Sequence, residues 1–150
     1  MYYVQNEADM KRLGEKLGIL LMGGEIIELV GDVGAGKTTL TKGIARGLTI
    51  DEDIQSPSFT ISRVYDARDG LTLAHYDFYR LQDAGVMADE LHETLHTPTA
   101  ITIIEWADIV SGVLPAERLS IRIAPISEDV RKVEIKAMGE KAAKILEKLA

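Results

Sequence analysis

Residues Gly31 to Thr38 read GDVGAGKT: two glycines bracket four residues, and Lys and Thr follow. Each residue type has a physical reason to stand there. Glycines let the backbone turn inward so that successive N–H groups point at phosphate oxygens, which a Cβ would block. Lys37 then places a cation against the β and γ phosphates, and the Thr38 hydroxyl faces a magnesium ion. The flanks agree. Glu25 to Val30 (EIIELV) is an apolar run of strand length, and Lys37 to Gly47 carries Leu40 and Ile44 at helical spacing. Strand, loop and helix in this order aim the helix's positive dipole end and its unsatisfied N–H groups at the anion that the loop holds.

The whole chain sets the frame. Its 150 residues, 46% hydrophobic and 27% charged, suit one globular domain, residues 1–150, large enough to bury a core unaided. Without cysteine there is no disulfide framework, no thiolate nucleophile and no cysteine zinc site. No run approaches the length of a membrane span and the N-terminus lacks a signal-peptide pattern, so a cytoplasmic protein is expected. A net charge of −7 argues against a large surface for nucleic-acid backbones. Should the process served involve RNA, a partner is expected to make most of that contact.

Asn6 is placed to cap a first helix in which Met10, Leu13 and Leu17 repeat at helical spacing before Gly23-Gly24. Asp51 to Ser58 reads as a loop, with Pro57 inside it. Phe59 to Tyr65 and Leu71 to Asp77 form two β-type runs around a turn ending Asp69-Gly70, which predicts an antiparallel hairpin. Asp83 to Leu95 is weakly helical and bounded by Pro98. Ala100 to Ile104 (AITII) is a second wholly apolar run, closed by Glu105. Leu119 to Ala124 and Val130 to Ala137 read as strands, and Glu140 to Ala150 as an amphipathic helix. Apolar strands followed by helical sequence predict an α/β fold of the P-loop NTPase type: a mixed sheet with a parallel core, antiparallel edge strands from the hairpin, and helices on both faces. Ligands of such sheets sit beyond the carboxyl ends of the strands, where the glycine-rich loop, Asp77 and Glu105 would all emerge.

Hydrolysis at such a loop needs a carboxylate at a neighbouring strand end, serving magnesium directly or through water. Asp77 and Glu105 are the two candidates, and His75 shares a strand face with Asp77 because side chains two apart point the same way. Guanine nucleotide is disfavoured: the only asparagine is Asn6, so an Asn-Lys-x-Asp reader is absent, and no Asp has Gly three residues later. ATP is the expected nucleotide. A competing motif is His92 to His96, HETLH, which matches the HExxH pattern of zinc proteases, two histidines one helical turn apart. Patterns this short arise by chance about equally often, so surroundings must separate them. Pro98 cuts the helix just after His96 and no third ligand stands at a recognisable spacing, which favours surface histidines.

Together the motifs resemble the bacterial TsaE (YjeE) ATPases, which serve synthesis of the threonylcarbamoyl modification on an adenosine of certain tRNAs. The resemblance rests on GDVGAGKTTLTKG from Gly31, SPSFTIS from Ser56 to Ser62, HYDFYRL from His75 to Leu81, IEW from Ile104 to Trp106 and VLP from Val113 to Pro115. It implies that Gly31, Val33, Gly34, Ala35, Gly36, Lys37, Thr38 and Thr39 hold the phosphates. It implies further that Lys37, Asp77 and Glu105 carry the chemistry and that Thr38, Glu105 and Asp77 serve magnesium. Trp106 would lie against the nucleotide, Glu7 near the adenine, Arg131 would be a basic nucleotide contact, and the Ser56 to Thr60 loop a switch. The expected partners are the TsaD and TsaB proteins, with tRNA met through them; ATP hydrolysis would be slow alone and would support turnover of their transferase. The chain departs from the family pattern at Ser58, at Ala107-Asp108 and in LHETLHTP, Leu91 to Pro98. The alternatives are a small-molecule P-loop kinase, for which no lid-like cluster of arginines is found, and a nucleotide-dependent binding module that does not hydrolyse.

Overall fold

In a computed structural model, the structure describes residues 1–32, 34–54, 62–78, 86–106 and 114–149. Seven strands form one mixed sheet: β1 (Tyr2–Val4), β2 (Ile26–Val30), β3 (Ser62–Asp66), β4 (Thr72–Asp77), β5 (Ala100–Glu105), β6 (Arg118–Pro125) and β7 (Arg131–Met138). Their spatial order is β1-β7-β6-β2-β5-β4-β3. The pairs β6/β2, β2/β5 and β5/β4 are parallel, while β4/β3, β6/β7 and β7/β1 are antiparallel. The predicted parallel core and antiparallel edges are therefore both present. The core has four strands, because β4 pairs antiparallel with β3 on one side and parallel with β5 on the other.

Four helices complete the described fold: α1 (Glu7–Leu20), α2 (Lys37–Gly47), α3 (Val86–Leu95) and α4 (Glu140–Leu149). Alternation along the strands sends Ile27, Leu29, Leu73, Ile101, Ile103 and Ile121 into a large cluster with Leu13 and Leu17 of α1, Leu40 and Ile44 of α2, and Ile145 of α4. Full burial of a leucine such as Leu17 contributes about 1.5–3 kcal/mol. The opposite face holds a smaller cluster in which Ile26, Tyr76 and Ile104 meet Leu91 of α3. There the Tyr76 hydroxyl lies 2.8 Å from Thr94 Oγ1, and burial raises its pKa. Helices thus cover both faces, with α1, α2 and α4 on one and α3 on the other.

Local signals explain several boundaries. The Asn6 side chain accepts from the Asp9 N–H at 2.9 Å, the capping bond expected at the start of α1. The end of α1 is held from a distance: Nη2 of Arg68, in the turn of the β3–β4 hairpin, donates to the carbonyls of Gly18, Ile19 and Leu21. These carbonyls lie in the last turn and at the C-cap, where the helix ladder runs out of donors; that of Gly18 also accepts from the Leu21 N–H. Helices α1 and α2 interlock through glycines. A Cβ on Gly18 would lie 2.3 Å from the Ile44 carbonyl oxygen, and one on Gly43 2.3 Å from that of Lys11, so only glycine permits this approach. The packing sets the N-terminus of α1 beside the N-terminus of α2. β1 was not expected: three residues are too few to show a period, and Tyr2 to Val4 gain their strand from pairing with Val133 to Arg131. The predicted loop from Gln55 to Ser58, the predicted strand start from Phe59 to Ile61, and the predicted helix start from Asp83 to Gly85 lie outside the described residues.

Candidate functional site

The described residues of GDVGAGKT lead from the end of β2 into the first turn of α2. Gly34 and Gly36 have φ of 84° and 113°, in the left-handed region that strains any residue with a Cβ. Gly36 is the N-cap of α2, and the first intrahelical bond runs from the Leu40 N–H to its carbonyl. The N–H groups of Lys37, Thr38 and Thr39 therefore belong to the helix's first turn, which has no intrahelical acceptors for them.

A cavity of about 840 Å³ opens over this turn. Its wall includes Gly34, Ala35, Gly36, Lys37, Thr38 and Thr39 from the loop and α2, Asn6, Glu7, Ala8 and Met10 from α1, and Asp77, Glu105 and Trp106 from the ends of β4 and β5. Glu128, Asp129 and Arg131 close it from the β6–β7 connection. Gly31 stands just before the wall at the end of β2, where a Cβ would come within 2.8 Å of the Ile123 carbonyl oxygen. Val33 and the whole of the proposed switch loop, Ser56 to Thr60, lie outside the described residues.

The acids arrive by register. Asp77 and Glu105 are Cα partners across the parallel β4/β5 pair, and both are nearly buried, 6% and 3% exposed. Alternation puts their side chains on the α2 side of the sheet, with Leu73 and Ile103. Lys37 reaches toward them from the first turn of α2. Its Nζ donates to the Gly31 carbonyl at 2.7 Å, lies 3.8 Å from Glu105 Oε1, and sits 4.2 Å from the centre of the Trp106 ring. A cation buried to this degree needs such partners, and here a carbonyl, a carboxylate and an aromatic face supply them. Trp106 itself has φ of 58°, an unusual conformation for a bulky residue. At a site of this kind, such a conformation is a local strain of about 1–3 kcal/mol that the surroundings must hold.

Glu7 and Arg131, anticipated only from the family resemblance, both line the cavity. Arg131 is already engaged: Nε donates to the Ala35 carbonyl at 3.2 Å, and Nη1 to the carbonyls of Ser127, Glu128 and Val130. It braces the glycine-rich turn against β7. The sequence had not singled out Ala8, Glu128 or Asp129, and had marked Met10 only as a packing residue of the first helix; none carries a motif, and they reach the cavity only through the placement of α1 and the β6–β7 turn. It had noted His75 beside Asp77, yet the closest polar contact of His75 is Nε2 to Glu105 Oε2, 2.6 Å away on the neighbouring strand.

The competing motif is placed elsewhere. His92 lies exposed on α3 and His96 exposed in the turn just after it, their rings 4.3 Å apart, and His96 Nδ1 is 2.8 Å from the His92 carbonyl oxygen. α3 packs on the other face of the sheet from α2. Among the described residues, no three His, Asp or Glu side chains group as a metal-holding cluster. No helix among them is long and apolar enough to cross a membrane.

Comparison with known proteins identifies a family. A family described as threonylcarbamoyl adenosine biosynthesis protein TsaE matches residues 4–133. The chain is similar to the tRNA threonylcarbamoyladenosine biosynthesis protein TsaE of Bacillus subtilis, 36% identical over 97% of this chain and 90% of that one. It is also similar to the protein of the same name from Streptomyces coelicolor, 34% identical over 89% of this chain and 94% of that one. In three dimensions it matches the crystal structure of Bacillus subtilis YdiB with a TM-score of 0.81 and 34% identity, over 99% of this chain and 91% of that one. The match extends through β1 to β7 and so includes the loop, both acids and Trp106: the chain belongs to the TsaE family.

Proposed function

We propose that this chain binds ATP with magnesium in the cavity over Gly31 to Thr38 and hydrolyses it, as an accessory protein in tRNA threonylcarbamoyladenosine formation. The observation that carries the reading is convergence. A glycine-rich turn, a helix N-terminus, a buried lysine and two buried carboxylates face one cavity beyond the carboxyl ends of the parallel strands.

The chemistry follows from these residues. The N–H groups of Gly34 to Thr38 and the start of α2 bind phosphate oxygens. Lys37 exchanges the Gly31 carbonyl and Glu105 for the phosphates, and in doing so leaves the Trp106 ring accessible to the base or ribose. The Thr38 hydroxyl and the carboxylates of Asp77 and Glu105 form an all-oxygen donor set at the cavity wall, which fits a hard divalent cation. Thr38 with Glu105 or Asp77 would hold magnesium, whose contribution when bound is to neutralise charge on the phosphates. The second carboxylate is then available to orient the attacking water.

The acidic surface, at net −7, suits a protein that meets tRNA through partners, and the proposed setting is cytoplasmic, beside the TsaD and TsaB proteins. Phosphate release from ATP and magnesium, with and without TsaD and TsaB, tests the reading. Slow release by the chain alone that rises at least about tenfold with both partners is the expected result, a modest barrier change of about 1.4 kcal/mol. Binding without release under both conditions would instead indicate a passive nucleotide-dependent module, and transfer of the phosphoryl group to a small molecule would indicate a kinase.

A further inference from the structure

Of the two oxygens of Glu105, Oε1 faces Lys37 and Oε2 belongs to His75, a residue that the reading above leaves without a task. His75 is fully buried in β4, with Nε2 2.6 Å from Glu105 Oε2. The carboxylate can only accept, so the hydrogen sits on Nε2. Nδ1 is buried and has no partner among the described residues. A hydrogen placed there would be a donor without an acceptor, at a cost of about 1–3 kcal/mol. The neighbours on this face, Leu73, Ile101 and Ile103, are aliphatic, and an aliphatic residue at position 75 would leave no polar atom stranded. Filling space does not explain a histidine here. Among the described residues, its one polar contact is to the carboxylate at the cavity wall.

We propose that His75 is the positioning residue of Glu105. Its Nε2–H pins Oε2 within the sheet, so that Oε1 alone is turned toward the phosphate and metal side. When phosphates draw Lys37 away, Oε1 is released already oriented, while Oε2 stays where His75 holds it. The register makes the clamp rigid: His75 pairs with Ile103 and Asp77 with Glu105, so the bond runs diagonally between two adjacent central strands. The proposal rests on the nucleotide-site reading and adds to it which oxygen of Glu105 acts and what aims it.

The test uses the fluorescence of Trp106, the only tryptophan, to follow ADP binding in EDTA and then with increasing magnesium. His75→Phe is expected to leave ADP affinity in EDTA within about twofold and to raise the half-saturating magnesium concentration about 10- to 100-fold, the usual effect of removing a group that orients a metal ligand. His75→Gln can place an amide N–H near the Nε2 position and is expected to recover most of that loss. A folded Phe variant with the wild-type magnesium requirement, or Phe and Gln variants that behave alike, would overturn the proposal and leave the nucleotide reading standing. Nitrogen-15 spectra of the wild-type imidazoles give a check that needs no folded variant: His75 is expected as the Nε2–H tautomer, and an Nδ1–H tautomer would overturn the proposal. A wild type whose Trp106 responds to neither ADP nor magnesium would overturn the nucleotide reading and this proposal with it.

Discussion

Gly31 to Thr38 and His92 to His96 are both short motifs with a known chemistry, and they meet different fates in the same fold. The first lies at the carboxyl end of a central parallel strand, where neighbouring strand ends deliver Asp77, Glu105 and Trp106 to the same cavity. The second lies at the exposed C-terminal end of α3, where its histidines meet each other and the helix's own backbone. What separates them is supply. A motif becomes a site when the topology brings it chemically matched groups from distant parts of the chain, and a sheet's carboxyl edge does this for the loop after β2 in a way that an outer helix face does not.

The largest effect is expected at Lys37. Lys37→Ala should weaken ATP binding and depress phosphate release together, with at least a 10²-fold loss of release, comparable to removing one fixed donor to developing charge. Calorimetric titration with ATP and magnesium, alongside a release assay, measures both. Wild-type values in this variant would remove the distinction between the two motifs. Next come the acids: Glu105→Ala or Asp77→Ala should cut hydrolysis by about 10²-fold while ADP binding without magnesium changes far less. Equal losses of binding and turnover would mean that the carboxylates shape the cavity rather than act in it.

The fold was legible wherever the signal was local. Asn6 announced its cap, the α2 boundaries could be read from Lys37 to Gly47, and the apolar runs marked β2 and β5. What required the structure is non-local. Arg68 satisfies α1 carbonyls from 47 to 50 positions away. β1 exists because β7 pairs with it, and β4 joins the parallel core because β5 lies beside it. At the site, the loop residues and both acids could be named from motif and strand position, but not the bond between His75 and Glu105, 30 positions apart. Hydrophobic periodicity tells which face a side chain takes and says nothing of which strand is its neighbour.

Smaller than the site effects is the expected cost of disturbing the α1–α2 contact that sets Asn6 and Glu7 at the cavity. Gly18→Ala or Gly43→Ala forces a Cβ against a backbone carbonyl and should destabilise by about 1–3 kcal/mol. At ~2–4 °C per kcal/mol for a chain of this size, thermal unfolding detects it easily. Unchanged melting would show that the two helices can separate without loss and that the cavity's α1 wall is not fixed by them. The smallest effects belong to the second motif. His92→Ala and His96→Ala should alter stability by less than about 0.5 kcal/mol and leave phosphate release unchanged. Stoichiometric zinc in the purified protein, lost in His92→Ala, would reverse the ranking of the two motifs.

Titration of the wild type with ATP and magnesium, followed through the fluorescence of Trp106, tests the central claim most directly, because the centre of the indole ring lies 4.2 Å from the Lys37 ammonium that, in the proposed function, phosphates draw away. The account predicts a saturable change at one ATP per chain that is lost in Lys37→Ala. A signal that ignores ATP, or that is the same in both proteins, would contradict it.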